Sequence, residues 1–277
     1  MLFYSILLFL IIYIIYTFIK YQNTDFFLQT LKNIKIYTCV NIQDKNNYLI
    51  GIDIIYWINL RKSQIRRKEM EKIFQDSVFN NIKIERIDAI DGKSTNIDSI
   101  LNQNFINIQE QNTKVEYACL LSHLNTIYNF SKSDNKIALI MEDDMTLEYK
   151  PYWKETITQI LNEAPRDWEI IQLCYISQNT PIHLYNLNDG IFFSTGAYLI
   201  NKEGARKIKK QNNLYILNQN INHTADEYLF KTLITYTYRY PLFIYKYNNN
   251  STIHNNHIST IHNPSKVKID KIIYNRK

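Results

Sequence analysis

Hydrophobic and polar positions divide the chain into segments of distinct character. Residues 2–19 (LFYSILLFLIIYIIYTFI) carry no charge, glycine or proline, and the run ends at Lys20. A helix needs roughly 20 apolar residues to cross a bilayer. This run is apolar on every face, whereas a peripheral core helix carries a polar stripe. No small-residue cleavage pattern follows it. Residues 1–20 are therefore expected to be an uncleaved transmembrane anchor, and the mixed, mostly polar residues 21–49 a stem.

Beyond residue 50 the pattern alternates between strand-like and helix-like stretches. Residues 52–60 (IDIIYWINL) are β-branched and aromatic and predict a buried strand. Residues 63–74 have helical character, with Ile65, Met70 and Ile73 among charged neighbours. Residues 82–90 (IKIERIDAI) alternate as a half-buried strand does, and Asp91-Gly92 marks a turn. The Asn- and Gln-rich residues 96–112 predict a loop with short helical pieces. A helix is expected over 116–130 and a wholly apolar strand over 137–141 (IALIM). Then come a helix at 153–161, strands at 168–175 and 191–200, helices at 202–210 and 226–233, and a last strand at 240–247. Strands alternating with helices imply an α/β fold with a mixed, mostly parallel central sheet, whose ligands sit at the carboxyl ends of strands. The catalytic domain is expected over residues 50–253, followed by a polar tail over 254–277.

Composition adds limits. The formal net charge is +6 and Lys and Arg are scattered, which fits a solvated surface with some attraction for an anionic ligand. No short nucleic-acid-binding signature occurs, so no nucleic-acid partner is expected. The 22 tyrosines accompany abundant Asn, Ile and Lys; a coding bias towards AT-rich codons is the default reading, and aromatic enrichment for ligand stacking the alternative. Cys39, Cys119 and Cys174 lack metal or redox spacing, and buried thiols are the default reading for Cys119 and Cys174. No Gly-x-Gly-x-x-Gly or Walker A sequence supports a dinucleotide oxidoreductase or a P-loop NTPase.

The chemistry concentrates where the IALIM strand ends, at Glu142-Asp143-Asp144. Three adjacent carboxylates repel one another, and burying them is costly unless a cation sits among them. An oxygen-only ligand set suits Mn²⁺ or Mg²⁺. A solvated acidic loop is the competing reading of this run. Asp226 and Glu227, at the mouth of a helix, are candidates for a general base or for simple helix capping. Among the tail histidines His254, His257 and His262, the first is a candidate to complete the metal shell. His123, between apolar residues, reads as a structural histidine.

Taken together these segments resemble glycosyltransferase family 25, which includes lipooligosaccharide and procollagen galactosyltransferases. The resemblance runs from Tyr56 to about Ile253. It is carried by Trp57-Ile58-Asn59-Leu60-Arg61 with Arg66-Arg67, by Arg86 to Gly92, by Glu116 to His123, by Leu139 to Asp144, by Thr195 to Ile200 with Gly204-Ala205, by Asp226 to Leu229, and by Ser251 to Ile253. Val115 and Ala118 stand where the family usually has glycines, and Arg61 where Asp is usual. The resemblance implies a GT-A-like fold, a UDP-sugar donor (galactose most often, glucose as the second choice), Mn²⁺, and inversion at the anomeric carbon. It implies that Asp144, with Asp143 or Glu142, holds the metal and the donor diphosphate, and that Asp226 acts near the reacting sugar. Asn59, Arg61, Ala89, Asp91 and Gly92 would then lie near the nucleotide. The acceptor would be a hydroxyl on a protein, such as hydroxylysine, or on a glycan. The anchor would keep the catalytic domain in the secretory lumen or on a virion or envelope surface. The alternative is a catalytically silent sugar- or protein-binding membrane protein on the same fold. A metal-dependent phosphohydrolase is the third reading.

Overall fold

The computed structural model describes residues 47–246 and 258–276. The expected anchor, nearly all of the expected stem, and His254 and His257 lie outside them. Among the described residues no helix is long and apolar enough to cross a membrane.

In chain order the elements begin with β1 (Ile54–Asn59), α1 (Gln64–Ile73), β2 (Lys83–Asp88), α2 (Ile97–Asn102) and β3 (Phe105–Ile106). Next come α3 (Lys114–Lys132), β4 (Ile137–Glu142), β5 (Met145–Thr146), α4 (Ile157–Glu163), β6 (Ile170–Gln172) and β7 (Tyr185–Leu187). The chain continues through β8 (Ala197–Asn201), α5 (Lys202–Lys207), β9 (Tyr215–Ile216), α6 (Ala225–Thr232), β10 (Thr235–Tyr238), β11 (Ile244–Tyr245) and α7 (Asn263–Tyr274). The main sheet runs in the order β2-β1-β4-β8-β6-β10-β7. Strands β2, β1, β4, β6 and β10 share one direction, and β8 and β7 oppose it. This is the mixed, mostly parallel α/β sheet that the alternating pattern predicts.

Both faces of the central strands are covered, so β1 and β4 read as continuous apolar runs. On one face Ile55, Trp57, Leu139, Met141 and Leu199 join a cluster with Phe243 and Trp153. On the other, Ile54, Tyr56, Ile140 and Tyr198 pack on Leu120, Leu121 and Leu124 of α3 and on Leu229 of α6. Each such side chain contributes about 1.5–3 kcal/mol on burial. The register sets Ile58 opposite Glu142 and Asn59 opposite Asp88. The ends of β1, β2 and β4 therefore meet at one edge, which is where the polar residues begin.

Several elements differ from the sequence expectation, each for a local reason. The strand expected over 191–200 is ordered in the main sheet only from Ala197. Before it, the buried Gln172 amide donates to the carbonyls of Phe193 (2.8 Å) and Ser194 (2.9 Å), which removes that segment from the ladder. The strand expected over 240–247 is reduced to β11, which pairs with β5 in a separate ribbon. The strand that joins the sheet instead is β10, with sequence TYTY. Its polar residues are satisfied inside: Thr237 Oγ1 donates to Gln172 Oε1 at 2.7 Å. Part of the segment read as a polar tail forms α7, because Ile269 and Ile273 recur one turn apart and are buried.

Candidate active site at the carboxyl end of β4

Strand β4 delivers Glu142, Asp143 and Asp144 to the sheet edge, and the three carboxylates diverge. Asp143 turns towards β1 and α1. Its Oδ2 accepts from Asn59 Nδ2 at 2.7 Å and its Oδ1 from Arg66 at 2.7 Å. Glu142 turns towards α3 and the loop before β8. Its Oε1 accepts from Thr195 Oγ1 at 2.7 Å and lies 3.5 Å from His123 Nε2. Asp144 has a long 3.5 Å approach from Arg66 and a contact with its own backbone N–H.

The electrostatics follow from this crowding. Burial and the neighbouring charges of Glu142 and Asp143 push the Asp144 carboxyl up to about 7, against the pull of Arg66. Burial also raises Asp143, opposed by Arg66 and Asn59. For Glu142 burial acts upwards, but the His123 and Thr195 contacts win and hold the group below the usual range. Asp143 and Asp144 thus share Arg66 as their paired guanidinium, while Glu142 faces His123.

Two cavities flank this edge. The larger, about 600 Å³, is lined by Asp144, Glu142, Asp226, Glu227, Ser194 and Tyr245 among others. The smaller, about 170 Å³, is lined by Ala89, Asp91, Gly92, Lys62, Arg66 and Asp143 among others. Cys119 and Glu142 border both.

The smaller cavity collects part of the set expected near a nucleotide. Asp91 pairs with Lys62, and that bond holds its carboxyl below the usual range. A Cβ on Gly92 would stand 2.5 Å from Val115 Cα, so the glycine permits the close approach of α3. Asn59 is buried behind the cavity and acts through Asp143. Arg61 points away, exposed and paired with Asp88 at 3.3 Å.

In the larger cavity Asp226 sits in the first turn of α6. Its Oδ2 accepts from the Ser194 backbone N–H at 3.0 Å. Ser194 has φ +88°, a conformation that costs about 1–3 kcal/mol in a non-glycine residue and clusters at functional sites. Asp226 helps to hold it. Glu227 is paired with Lys231 at 2.5 Å.

Sequence reasoning gave no role to Arg66, Thr195 or Ser194, and read Cys119 and His123 as ordinary core residues. Arg66 and Thr195 lay within quoted motifs, but nothing in the sequence showed which carboxylate each would meet. Cys119 and His123 stand four apart on a helix, a spacing that puts them on one face.

An α/β sheet that ends in clustered carboxylates beside two neighbouring cavities is the arrangement of a protein that binds a ligand at strand ends. The glycosyltransferase family 25 (LPS biosynthesis protein) model matches residues 52–229. The chain belongs to glycosyltransferase family 25. It is 28% identical over 176 residues to a glycosyltransferase 25 family member of Drosophila melanogaster, covering 57% of this chain and 28% of that protein. It is 24% identical over 188 residues to procollagen galactosyltransferase 2 of Homo sapiens, covering 61% and 29% respectively. The chain spans under a third of the length of these curated relatives. A crystal structure of a glycosyltransferase involved in the glycosylation of the major capsid of PBCV-1 superposes with a TM-score of 0.34 at 10% identity, over 56% of this chain and 62% of that one. So loose a superposition carries no argument.

Proposed function

We propose that the protein is a metal-dependent hexosyltransferase with a GT-A-like catalytic domain. It transfers galactose, or glucose as the second choice, from a UDP-sugar to a hydroxyl on a protein or glycan acceptor. Family membership and the procollagen galactosyltransferase relatives support the reaction class. The observation that carries the reading is Asp144: a carboxyl facing a 600 Å³ cleft, crowded by Glu142 and Asp143, and sharing Arg66 with Asp143.

The residues fit Mn²⁺ or Mg²⁺. Such ions take oxygen ligands and need only one or two protein carboxylates when a substrate diphosphate supplies others. Asp143 is committed to Asn59 and Arg66, and Glu142 accepts from Thr195, so Asp144, whose contact with Arg66 is the longest at 3.5 Å, is the carboxylate left for the cleft. When bound, the ion would stabilise the charge developing on the departing diphosphate. Arg66 adds a fixed positive charge at the same edge. The smaller cavity, with Ala89, Asp91 and Gly92, suits the nucleotide end of the donor. Asp226 is oriented by two backbone N–H groups, those of Ser194 and Glu227. Within reach of the acceptor hydroxyl it would take the proton, a role worth roughly 10²–10⁴-fold. Glu227 is the second candidate, its charge shared with Lys231. His254 remains a proposed further ligand, and residues 1–20 a proposed membrane anchor.

The test is release of UDP from UDP-sugars with Mn²⁺ present, with hydroxylysine peptides and glycans as acceptors. Asp144→Asn is expected to lower turnover at least ~100-fold while leaving the circular dichroism spectrum unchanged. Full turnover in that variant overturns the metal assignment.

A further inference from the structure

One polar group beside the site has no place in the transfer chemistry. His123 is fully buried, and its Nε2 has no hydrogen-bond partner. A buried nitrogen without a partner costs about 1–3 kcal/mol, so it calls for an explanation. The ring is fixed from its other side, where Nδ1 lies 3.0 Å from the Tyr198 hydroxyl. Nε2 points at Glu142 Oε1, 3.5 Å away. Cys119, one helical turn earlier on α3, brings its thiol to the same point. Sγ of Cys119, a ring nitrogen of His123 and a carboxylate oxygen of Glu142 all lie within 4.8 Å of one another.

We infer that Cys119, His123 and Glu142 form a second divalent-cation site, selective for a thiophilic ion such as Zn²⁺ and distinct from the Asp144 position. Tetrahedral coordination at the usual zinc–sulfur, –nitrogen and –oxygen lengths spaces ligand atoms roughly 3.3–3.8 Å apart. The His123–Glu142 pair already meets that spacing at 3.5 Å, and the Cys119 thiol lies within 4.8 Å of both. The donor set of sulfur, imidazole and carboxylate suits zinc, whereas the oxygen-only set at Asp144 suits Mn²⁺ or Mg²⁺. The Tyr198 hydroxyl on Nδ1 is the outer contact that metal-bound histidines require: when Nδ1 donates to it, Nε2 presents its lone pair. Burial and the charges of Glu142, Asp226 and Asp144 keep the Cys119 thiol protonated without an ion, so ion uptake releases its proton. Cys119 and Glu142 border both cavities. Two of the three ligands are thus reachable from solvent, which gives an ion a way in.

The experiment titrates the purified full-length chain, stripped by chelator, with Co²⁺ as a spectroscopic probe for the zinc position. The expected result is one equivalent of Co²⁺ with a sulfur-to-cobalt charge-transfer band that Zn²⁺ bleaches. Cys119→Ser removes the band, and Tyr198→Phe weakens Co²⁺ affinity by roughly tenfold or more. Asp144→Asn keeps the band. Absence of the band in the folded wild-type chain, or its persistence in Cys119→Ser, overturns the site. Mn²⁺-dependent UDP release, read on the same preparations, tests the transferase reading separately: turnover without the band sinks the zinc site alone.

Discussion

At the scale of single residues, Asp144 has a consequence for stability as well as for chemistry. Its carboxyl is pushed up to about 7 in the folded chain by burial and by Glu142 and Asp143, from an ordinary aspartate value of 3.8. A carboxyl with a raised folded pKa binds its proton more tightly in the native state. It therefore lowers stability progressively as pH rises from about 4 to about 7. In protein stripped of divalent cations, Asp144→Asn is expected to raise the thermal midpoint at pH 8 and to leave it nearly unchanged at pH 4. Melting curves at the two pH values check this, and Mn²⁺ should close the gap at pH 8 for the wild type. Gly92 matters at the same scale through lack of volume. A methyl group there would meet the backbone of Val115 at 2.5 Å. Gly92→Ala is expected to cost about 1–3 kcal/mol, read as a lower urea midpoint. Gly92 was named from its motif, but its steric partner belongs to another element, so local sequence did not show why a glycine stands there.

At the scale of elements, α3 holds one wall of the site. It starts with a capping box in which Thr113 accepts from the Glu116 N–H and Glu116 reaches back to the Thr113 N–H at 2.6 Å. Thr113→Ala is expected to destabilise by about 1 kcal/mol, seen as a shifted denaturation midpoint with an unchanged slope. The elements most legible in sequence were β1, β4 and α3, whose apolar patterns are long and uninterrupted. Strand β10 was not, because Thr235 and Thr237 are buried polar residues, the first satisfied by the Leu233 carbonyl and the second by Gln172 on β6. The short β7 pairs only with β10 at the sheet edge and carries no apolar run.

At the scale of the molecule, α7 closes the fold far along the chain from the residues it touches. The Tyr149 hydroxyl donates to Asp270 Oδ1 at 2.8 Å, and Ser265 Oγ accepts from the Ser177 N–H at 2.9 Å. Ile269 and Ile273 enter the same cluster as Trp57 and Leu139. The segment leading into α7 contributes Ile261 and His262 to the larger cavity, and the first residue of the helix contributes Asn263. Removing residues 258–277 is expected to lower the unfolding free energy by several kcal/mol, since two buried isoleucines alone account for about 3–6. It should also weaken UDP-sugar binding. Urea unfolding and donor titration of the shortened chain measure the two effects separately.

The sequence by itself determined the α/β class, the acidic end of β4 and the family, because each rests on contiguous residues: an apolar run, a run of charges, an ordered set of short motifs. Only the tertiary structure decided how the three acids divide their contacts. Asp143 goes to Asn59 and Arg66, Glu142 to Thr195 and His123, and Asp144 to the cleft. Those partners come from β1, α1, α3 and the loop before β8, and strand order rather than chain order brings them together.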